Sequence, residues 1–201
     1  MSFNVRKEKF MIRFLRELSL GYVDEDIVDT LLTINNLEDY YTTSSCSGRL
    51  SFHLREVYGN KKSHEIVLKL HRDVEEEKLV KLLTQKLSSH NYLWIKISGF
   101  IVHLIARDIN SMNKILNMLQ QCGIKDVAAK PLNNGTWLIV IKSPHIISMP
   151  LALDVADFKL LRYLAKEISR MINAIKIDLK IFKLCFTELL SAMRKLSYND
   201  R

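Results

Sequence analysis

Apolar and polar side chains alternate in short runs through the middle of the chain, whereas both ends show helical spacing. In residues 49–56 the alternation places Leu50, Phe52 and Leu54 on one face of a strand. Further strands are predicted at 64–71, 92–97, 100–106, 124–131 and 137–142, and helices at 74–87 and 109–122. This order predicts an α+β fold in which helices cover a mixed, largely antiparallel sheet.

Turn and cap residues separate these elements. Residues 58–62 predict a turn, residues 98–99 a tight connection between two strands, and the Asn-Asn-Gly run at 133–135 a hairpin. Asp24 and Asp73 are predicted to cap the helices that follow them.

Helical spacing predicts an N-terminal helical pair within residues 1–36 and a C-terminal helical segment at 154–196. One helix over 154–196 would be about 60 Å long, but a compact domain of this size is only ~40 to 45 Å across. We therefore expect two helices that meet near Asn173. The alternatives are a local strand at 175–181, or one long helix that packs on a second protomer as a homodimer.

The composition is that of a globular protein, with 201 residues of which 48% are hydrophobic. We expect a single domain over 1–201, with the sheet core at 37–153. No apolar run approaches the ~18 residues of a membrane span, and charges stand where a signal peptide needs an apolar region. The sequence therefore predicts a soluble, cytoplasmic protein.

The net charge of +8 is unevenly distributed. Residues 1–40 carry five basic and eight acidic side chains, residues 41–153 fifteen and eight, and residues 154–201 ten and six. The positive excess in the middle and C-terminal parts is typical of a surface that binds a polyanion such as a nucleic acid.

Several common sites are not predicted. The chain has six glycines and neither a G-x-G-x-x-G nor a P-loop pattern, so a Rossmann nucleotide site is unsupported. Cys122 and Cys185 have apolar neighbours and are predicted to be small core residues, while Cys46 could be a catalytic thiol but has no nearby histidine. No metal-ligand spacing is present, and we expect no metal.

Hydroxyl groups are concentrated at residues 40–49, where six occur in succession before Cys46 and a seventh belongs to Ser47. Small side chains allow a ligand to approach the backbone, Ser47 and Gly48 can direct amides at an anion, and Arg49 offers a fork for a carboxylate or phosphate. The run is therefore predicted to be a ligand-binding loop. The alternative is a serine- and threonine-rich turn whose hydroxyls satisfy local backbone groups.

His103 interrupts the apolar strand predicted at 100–106, and Arg107 follows that strand. An imidazole there is either a hydrogen-bonded core residue or a ligand contact that accepts a proton near neutral pH. Trp94 and Trp137, each on a predicted strand, are either core residues or platforms on which a base could stack.

The run Tyr-Thr-Thr-Ser-Ser-Cys-Ser-Gly-Arg at 41–49 resembles the signature of the archaeal-type tRNA wybutosine-synthesis methyltransferases. Other elements resemble the family in the same order: Asp24-Glu25, Lys69-Leu70-His71, Leu93-Trp94-Ile95-Lys96, Cys122-Gly123-Ile124, Lys142-Ser143 and Met149-Pro150-Leu151. The chain departs from the family pattern in the loop after Gly123, which lacks the usual Ser-Gly pair, and at Lys142, where arginine is common.

The resemblance implies a non-Rossmann enzyme that uses S-adenosylmethionine. It implies methylation of N4 of the 7-aminocarboxypropyl-demethylwyosine next to the anticodon of phenylalanine tRNA. On this basis we hypothesise that His103 accepts the proton from the ring nitrogen. We also expect two sets of contacts: to the cofactor from Ser44, Ser45, Ser47, Gly48 and Arg49, and to the substrate from Thr43, His71, Trp94 and Arg107.

Two other functional classes remain open from the sequence. A non-catalytic RNA-binding module could recognise an anionic ligand through the same loop. A hydrolase could use Ser45 or Ser47 with His103, but the chain lacks the G-x-S-x-G elbow and an obvious orienting carboxylate.

Overall fold

A computed structural model of the chain describes residues 2–54, 65–71 and 75–199. The helices are α1 (Phe3–Ser19), α2 (Val28–Asn36), α3 (Glu76–His90), α4 (Ile109–Gln121) and α5 (Phe158–Asn199). The strands are β1 (Tyr40–Cys46), β2 (Arg49–Leu54), β3 (Glu65–Leu70), β4 (Tyr92–Ser98), β5 (Ile101–Ala106), β6 (Val127–Pro131), β7 (Trp137–Lys142) and β8 (Ile146–Ala152). The α+β prediction is confirmed. The predicted turn at 58–62 and the Asp73 cap lie outside the described residues.

The elements form two compact units, each with its own four-stranded sheet. The first unit comprises the chain up to Ser47, Phe100–Ser143 and the residues from Asp178 onward, and the second comprises Gly48–Gly99 and Pro144–Ile177. Every strand pair in both sheets is antiparallel. The prediction of a single domain over 1–201 stays a prediction.

The sheet of the first unit has the order β1–β5–β7–β6. The hydroxyl-rich run was expected to be a loop, and this is wrong, because residues 40–46 form β1, which pairs with β5. The register shifts between Thr42 and Ser44, so Thr43 is the extra residue of a bulge. The hairpin of β6 and β7 is confirmed, with Gly135 in the left-handed conformation at its turn (φ 78°).

Helices pack against one face of this sheet and build the main core of the first unit. The core residues from these helices are Phe14, Leu31, Ile34, Met112, Ile115, Leu119, Leu179, Phe182 and Phe186. They meet the buried sheet residues Val102, Leu104, Ile139 and Ile141. On the other face, Tyr41 and Ile105 form a smaller cluster with Phe3 of α1. The hydroxyl-rich strand is thus packed on both faces.

Tyr40 is buried in this core and donates a hydrogen bond to the carbonyl of Ser111 (2.9 Å). Burial, reinforced by the charge of Asp39, raises the pKa of Tyr40 to about 12. Because this pKa lies above that of an unfolded tyrosine (~10), the folded protein holds the proton more tightly. The stabilisation is complete below about pH 10 and is lost as the pH rises through about 12.

We therefore expect Tyr40→Phe to weaken the dependence of stability on alkaline pH. Between about pH 9 and about pH 11 the wild-type free energy of unfolding should fall by roughly 1 kcal/mol more than that of the variant. Urea unfolding of both proteins at the two pH values measures the difference. Equal losses in the two proteins would contradict the assignment to Tyr40.

The sheet of the second unit has the order β3–β2–β4–β8, and one of its faces is entirely apolar. Residues of α3 and α5 pack against this face: Leu79, Leu83, Leu87, Leu161, Leu164, Ile168, Ile172 and Ile175. Gly48 precedes β2 with φ +98°, and a Cβ at this position would lie 2.7 Å from Cγ2 of Ile175. Close packing within this unit therefore explains why residue 48 is a glycine.

The predicted tight connection between two strands is present, and one strand was missed. Only Gly99 and Phe100 connect β4 to β5, although β4 pairs with β2 and β8 while β5 pairs with β1 and β7. β8 lies in a region for which no strand was predicted. It is an edge strand that contains Pro150, and its sequence shows little alternation of polarity. These two features explain why it was not predicted.

The C-terminal segment is one helix of 42 residues, so the predicted break near Asn173 and the alternative strand at 175–181 are wrong. Asn173 is exposed, where an asparagine costs a helix only a few tenths of a kcal/mol. A helix of this length exceeds the width of a domain with one core. It is possible here because α5 supplies Ile168 and Ile175 to one core and Phe182 and Phe186 to another. The homodimer predicted through this segment stays a prediction.

Cys122 and Cys185 form a disulfide and were not recognised as a pair in the sequence. Cys122 caps the C-terminus of α4, Cys185 lies on α5, and their Cα atoms are 5.9 Å apart across 63 residues of sequence. Cys185 is buried, as predicted, but the prediction that both are simple core thiols is wrong. Among the described residues, none of the helices is both long and apolar enough to cross a membrane.

Candidate functional site

An open cleft of about 140 Å³ lies between α1 and the hydroxyl-rich strand β1 of the first unit. Three consecutive hydroxyls of β1, from Thr43, Ser44 and Ser45, line one wall. The remaining lining residues are Phe10, Arg13, Phe14, Glu17, Tyr22, Val23 and Thr42. The cleft thus combines hydroxyls, aromatic rings and one ion pair, formed by Arg13 Nε and Glu17 Oε1 at 2.7 Å.

The first three hydroxyls of β1 serve the fold. Tyr40 bonds the carbonyl of Ser111, and the ring of Tyr41 packs against aromatic rings of α1. The buried Asn35 accepts the Thr42 backbone N–H (2.7 Å) and donates to Thr42 Oγ1 (2.9 Å). The first three of these residues therefore stabilise the fold through a distant carbonyl, ring packing and a side-chain amide, instead of the local backbone bonds of a turn, and Thr42 is the first residue of β1 that lines the cleft.

Ser44 and His103 lie directly opposite each other on β1 and β5, and Ser44 Oγ is 2.8 Å from His103 Nδ1. The bulge at Thr43 brings Ser44 into this register. In a regular pairing Thr43, which follows the Thr42–Leu104 pair, would lie opposite His103 instead of Ser44. Bulges frequently re-aim side chains next to active sites. The structure thus joins two residues that the sequence predicted separately.

The carboxylate of Asp24 holds the end of β1. Asp24 was predicted to cap the following helix, but it makes no side-chain cap bond there. Instead, its Oδ2 accepts the backbone N–H of Ser47 at 2.7 Å. The Ser47 hydroxyl is buried and has no hydrogen-bond partner within the part of the chain that the structure describes. A polar group in this state is suited to a ligand contact.

Arg107 is held by contacts within the first unit. Its Nε lies 2.6 Å from Asp39 Oδ1, its Nη2 donates to the carbonyl of Glu38 (3.3 Å), and its guanidinium lies 4.5 Å from the ring centroid of Phe3. These contacts fix the entry of the chain into β1, and Arg107 does not line the cleft. Its predicted substrate contact stays a prediction.

The other predicted site residues belong to the second unit. Arg49 is exposed at the start of β2, and Trp94 lies on β4 between His53 and Pro150 of the neighbouring strands. His71 follows β3, and its carbonyl accepts a hydrogen bond from Lys176 Nζ (3.3 Å). The structure therefore brings Thr43, Ser44, Ser45 and His103 together, and it places Gly48, Arg49, His71 and Trp94 in the second unit.

The fold recurs in solved structures. The structure of the PH1069 protein from Pyrococcus horikoshii superposes with a TM-score of 0.79 and 26% identity, covering 92% of this chain and 96% of that chain. A structure of a protein from Aeropyrum pernix shares the fold with a TM-score of 0.63.

The class of the protein follows from a match to a known family. Residues 5–188 match a family of methyltransferases. This chain has two antiparallel sheets instead of a Rossmann fold. The description of that family is Methyltransferase TYW3, and the chain belongs to it.

Relatives with established names support the same family. A Thermococcus sibiricus protein named tRNA(Phe) 7-((3-amino-3-carboxypropyl)-4-demethylwyosine(37)-N(4))-methyltransferase is 30% identical over 168 residues, which is 84% of each chain. A Pyrococcus horikoshii protein with the same name and the suffix 1 is 31% identical over 142 residues, or 71% of each chain. The resemblance inferred from residues 41–49 is confirmed.

Proposed function

We propose that this methyltransferase uses S-adenosylmethionine to methylate N4 of 7-aminocarboxypropyl-demethylwyosine beside the anticodon of phenylalanine tRNA. The named relatives act on this nucleoside, and the chain shares the family pattern from residue 5 to residue 188. The observation that carries the proposal is the pairing of His103 with Ser44, and of these two residues Ser44 lines the β1 cleft. A nucleic-acid module without catalysis has no need for that pair.

The lining of the cleft suits one end of the cofactor, which when bound supplies a methyl group on a sulfonium. Phe10 and Tyr22 offer rings for an adenine, Glu17 a carboxylate for a ribose, and the β1 hydroxyls donors and acceptors. A complete small-molecule pocket has at least ~300 Å³, and this cleft has about 140 Å³. It would therefore hold one end of the molecule.

The remaining proposed cofactor contacts differ in what they can provide. Ser47 offers its buried hydroxyl, and the exposed guanidinium of Arg49 offers a bidentate fork for a carboxylate. Gly48 has no side chain to offer, and its proposed contribution is its backbone N–H and C=O at a φ of +98°.

His103 is the proposed proton acceptor, and Ser44 is its hydrogen-bond partner. A neutral imidazole has one N–H and one lone pair. When Nδ1–H donates to Ser44 Oγ, Nε2 keeps the lone pair and can take the proton that the ring nitrogen loses. The hydrogen bond to Ser44 persists after protonation. The other contribution of the protein is to hold donor and acceptor in an aligned geometry.

The proposal is tested with tRNA that carries the demethylated wyosine precursor. The protein and S-adenosylmethionine are incubated with this tRNA, and the nucleosides are analysed by mass spectrometry; gain of one methyl group on the modified guanosine supports the proposal. Calorimetric titration with S-adenosylmethionine is run in parallel. RNA binding with neither cofactor binding nor methylation would establish the non-catalytic alternative.

The exposed face of α5 in the second unit is the proposed contact for the tRNA backbone. It carries Lys159, Arg162, Lys166 and Arg170, opposite the buried apolar face of the same helix. These cations extend over about 16 Å at 1.5 Å per residue. Arg170 also bonds Glu167, an ion pair that is largely exposed. A row of this kind matches successive phosphates.

We expect the double variant Arg162→Glu, Lys166→Glu to bind tRNA roughly 10- to 100-fold more weakly, because two phosphate contacts become repulsive. The slope of log affinity against log salt should also decrease by about 1.4 to 1.8. The matched control is Lys9→Glu, Lys130→Glu, which changes the net charge equally at exposed positions elsewhere. Equal losses in both double variants would show that only net charge matters.

A further inference from the structure

The sheet of the second unit has a polar outer face opposite the face that packs on α3 and α5. On β2 the outward side chains are Arg49, Ser51 and His53, whereas Leu50, Phe52 and Leu54 face the core. Outward residues of adjacent strands pair in rows. These rows are Lys69, Ser51, Lys96 and Ser148; Ile66, His53, Trp94 and Pro150; and Arg49, Ser98 and Ile146.

Three cations are distributed over this outer face. Lys69 and Lys96 flank Ser51 on either side, so their backbones are roughly 10 Å apart at ~4.8 Å per strand. Arg49 lies two residues along β2 from Ser51, or roughly 7 Å away. All three side chains are exposed, and none of the three rows contains an acidic residue. The face therefore carries a concentrated positive charge.

An aromatic row lies beside the cations. Trp94 is half-buried in the middle of this row, between His53 on β2 and Pro150 on β8. His53 Nε2 is 2.7 Å from Ser51 Oγ, which ties its ring to the row of cations. The exposed part of a half-buried tryptophan on a positively charged sheet face offers a surface for an unpaired base while neighbouring cations hold the phosphates.

We propose that this outer face, defined by His53, Lys69, Trp94 and Lys96, binds a single-stranded RNA loop, with one unpaired base on Trp94. The inference rests on the proposed function and identifies where the unpaired nucleotides of the substrate are held. Double-stranded RNA does not fit the same arrangement, because its bases are stacked inside the helix and cannot reach Trp94.

The test measures the binding of two short RNAs, an unmodified anticodon stem–loop hairpin and a fully paired duplex of equal charge. In the Trp137→Phe background Trp94 is the remaining tryptophan, and its fluorescence should be quenched by the hairpin but not by the duplex. In this background we compare Trp94→Leu, which keeps apolar bulk, with Trp94→Phe, which keeps a ring; because these variants contain no tryptophan, their affinities are measured by the anisotropy of fluorescently labelled RNA. Thermal melting confirms that each variant is folded.

Trp94→Leu is expected to weaken hairpin binding about 5- to 100-fold, while Trp94→Phe keeps most of it and neither variant changes duplex binding. Lys69→Gln and Lys96→Gln should each reduce the salt slope for the hairpin by about 0.7. Equal hairpin binding by both Trp94 variants, or equal losses for hairpin and duplex, would overturn the proposal. Methylation of precursor tRNA by the parent protein is scored separately, so the surface can fail while the proposed function stands.

Discussion

Replacing His103 with asparagine is expected to lower the rate of methyl transfer about 100- to 10,000-fold, the usual contribution of a positioned general base. The amide NH₂ of asparagine can still donate to Ser44 Oγ, the bond that His103 Nδ1 makes at 2.8 Å. It cannot accept a proton, so folding should be kept while chemistry is lost. Single-turnover methylation of precursor tRNA measures the rate, and thermal melting measures the fold.

Ser44→Ala serves as the companion variant. It leaves the imidazole in place but removes the hydrogen-bond partner of Nδ1 that orients the ring, so we expect a smaller loss of rate, about 10-fold, with unchanged tRNA affinity. If His103→Asn instead methylates at the wild-type rate, the histidine is a hydrogen-bonded strand residue without a catalytic role.

Removing the disulfide is expected to have the largest effect on stability. The bond closes a loop across 63 residues of sequence between α4 and α5. For a loop of this length the loss of chain entropy in the unfolded state corresponds to about 4 kcal/mol. In a chain of this size that lowers the melting temperature by roughly 10 °C. The double variant Cys122→Ser, Cys185→Ser tests this by calorimetric or circular-dichroism melting.

Reductant provides an internal control for this experiment. The wild type with reductant should melt near the double variant, and the double variant should not respond to reductant at all. Cys46→Ser, which alters the cysteine outside the disulfide, should melt close to the wild type. A wild-type melting temperature that is insensitive to reductant would show that the cross-link contributes nothing to stability.

Local patterns predicted most helices and strands, because each of these elements has an apolar face of its own. α1, α4 and the hairpin of β6 and β7 depend on spacing and turn residues that are visible in the sequence. β1 could not be predicted in this way, because its run of hydroxyl-bearing residues is typical of a turn. Its pairing with β5, which is distant in the sequence, makes it a strand, and the contacts of Thr42 with Asn35, seven residues earlier, hold it in place.

The sequence predicted which residues belong to the candidate site, but not which of them contact each other. Ser44 and His103 were both singled out, but their contact depends on a register that a single bulge sets. Asp24 was identified only as a cap, because nothing near it in sequence indicates the amide of Ser47 as its partner. The disulfide was missed for the same reason, since two cysteines 63 residues apart have no local signature.

The discontinuous make-up of the first unit has a consequence during synthesis. Its opening segment, up to Ser47, emerges from the ribosome first, yet its core includes Phe182 and Phe186 of α5. These two rings are fully buried and lie against each other at 5.0 Å between centroids. The segment up to Ser47 must therefore wait until residue 186 has been translated before the interior of its unit can close.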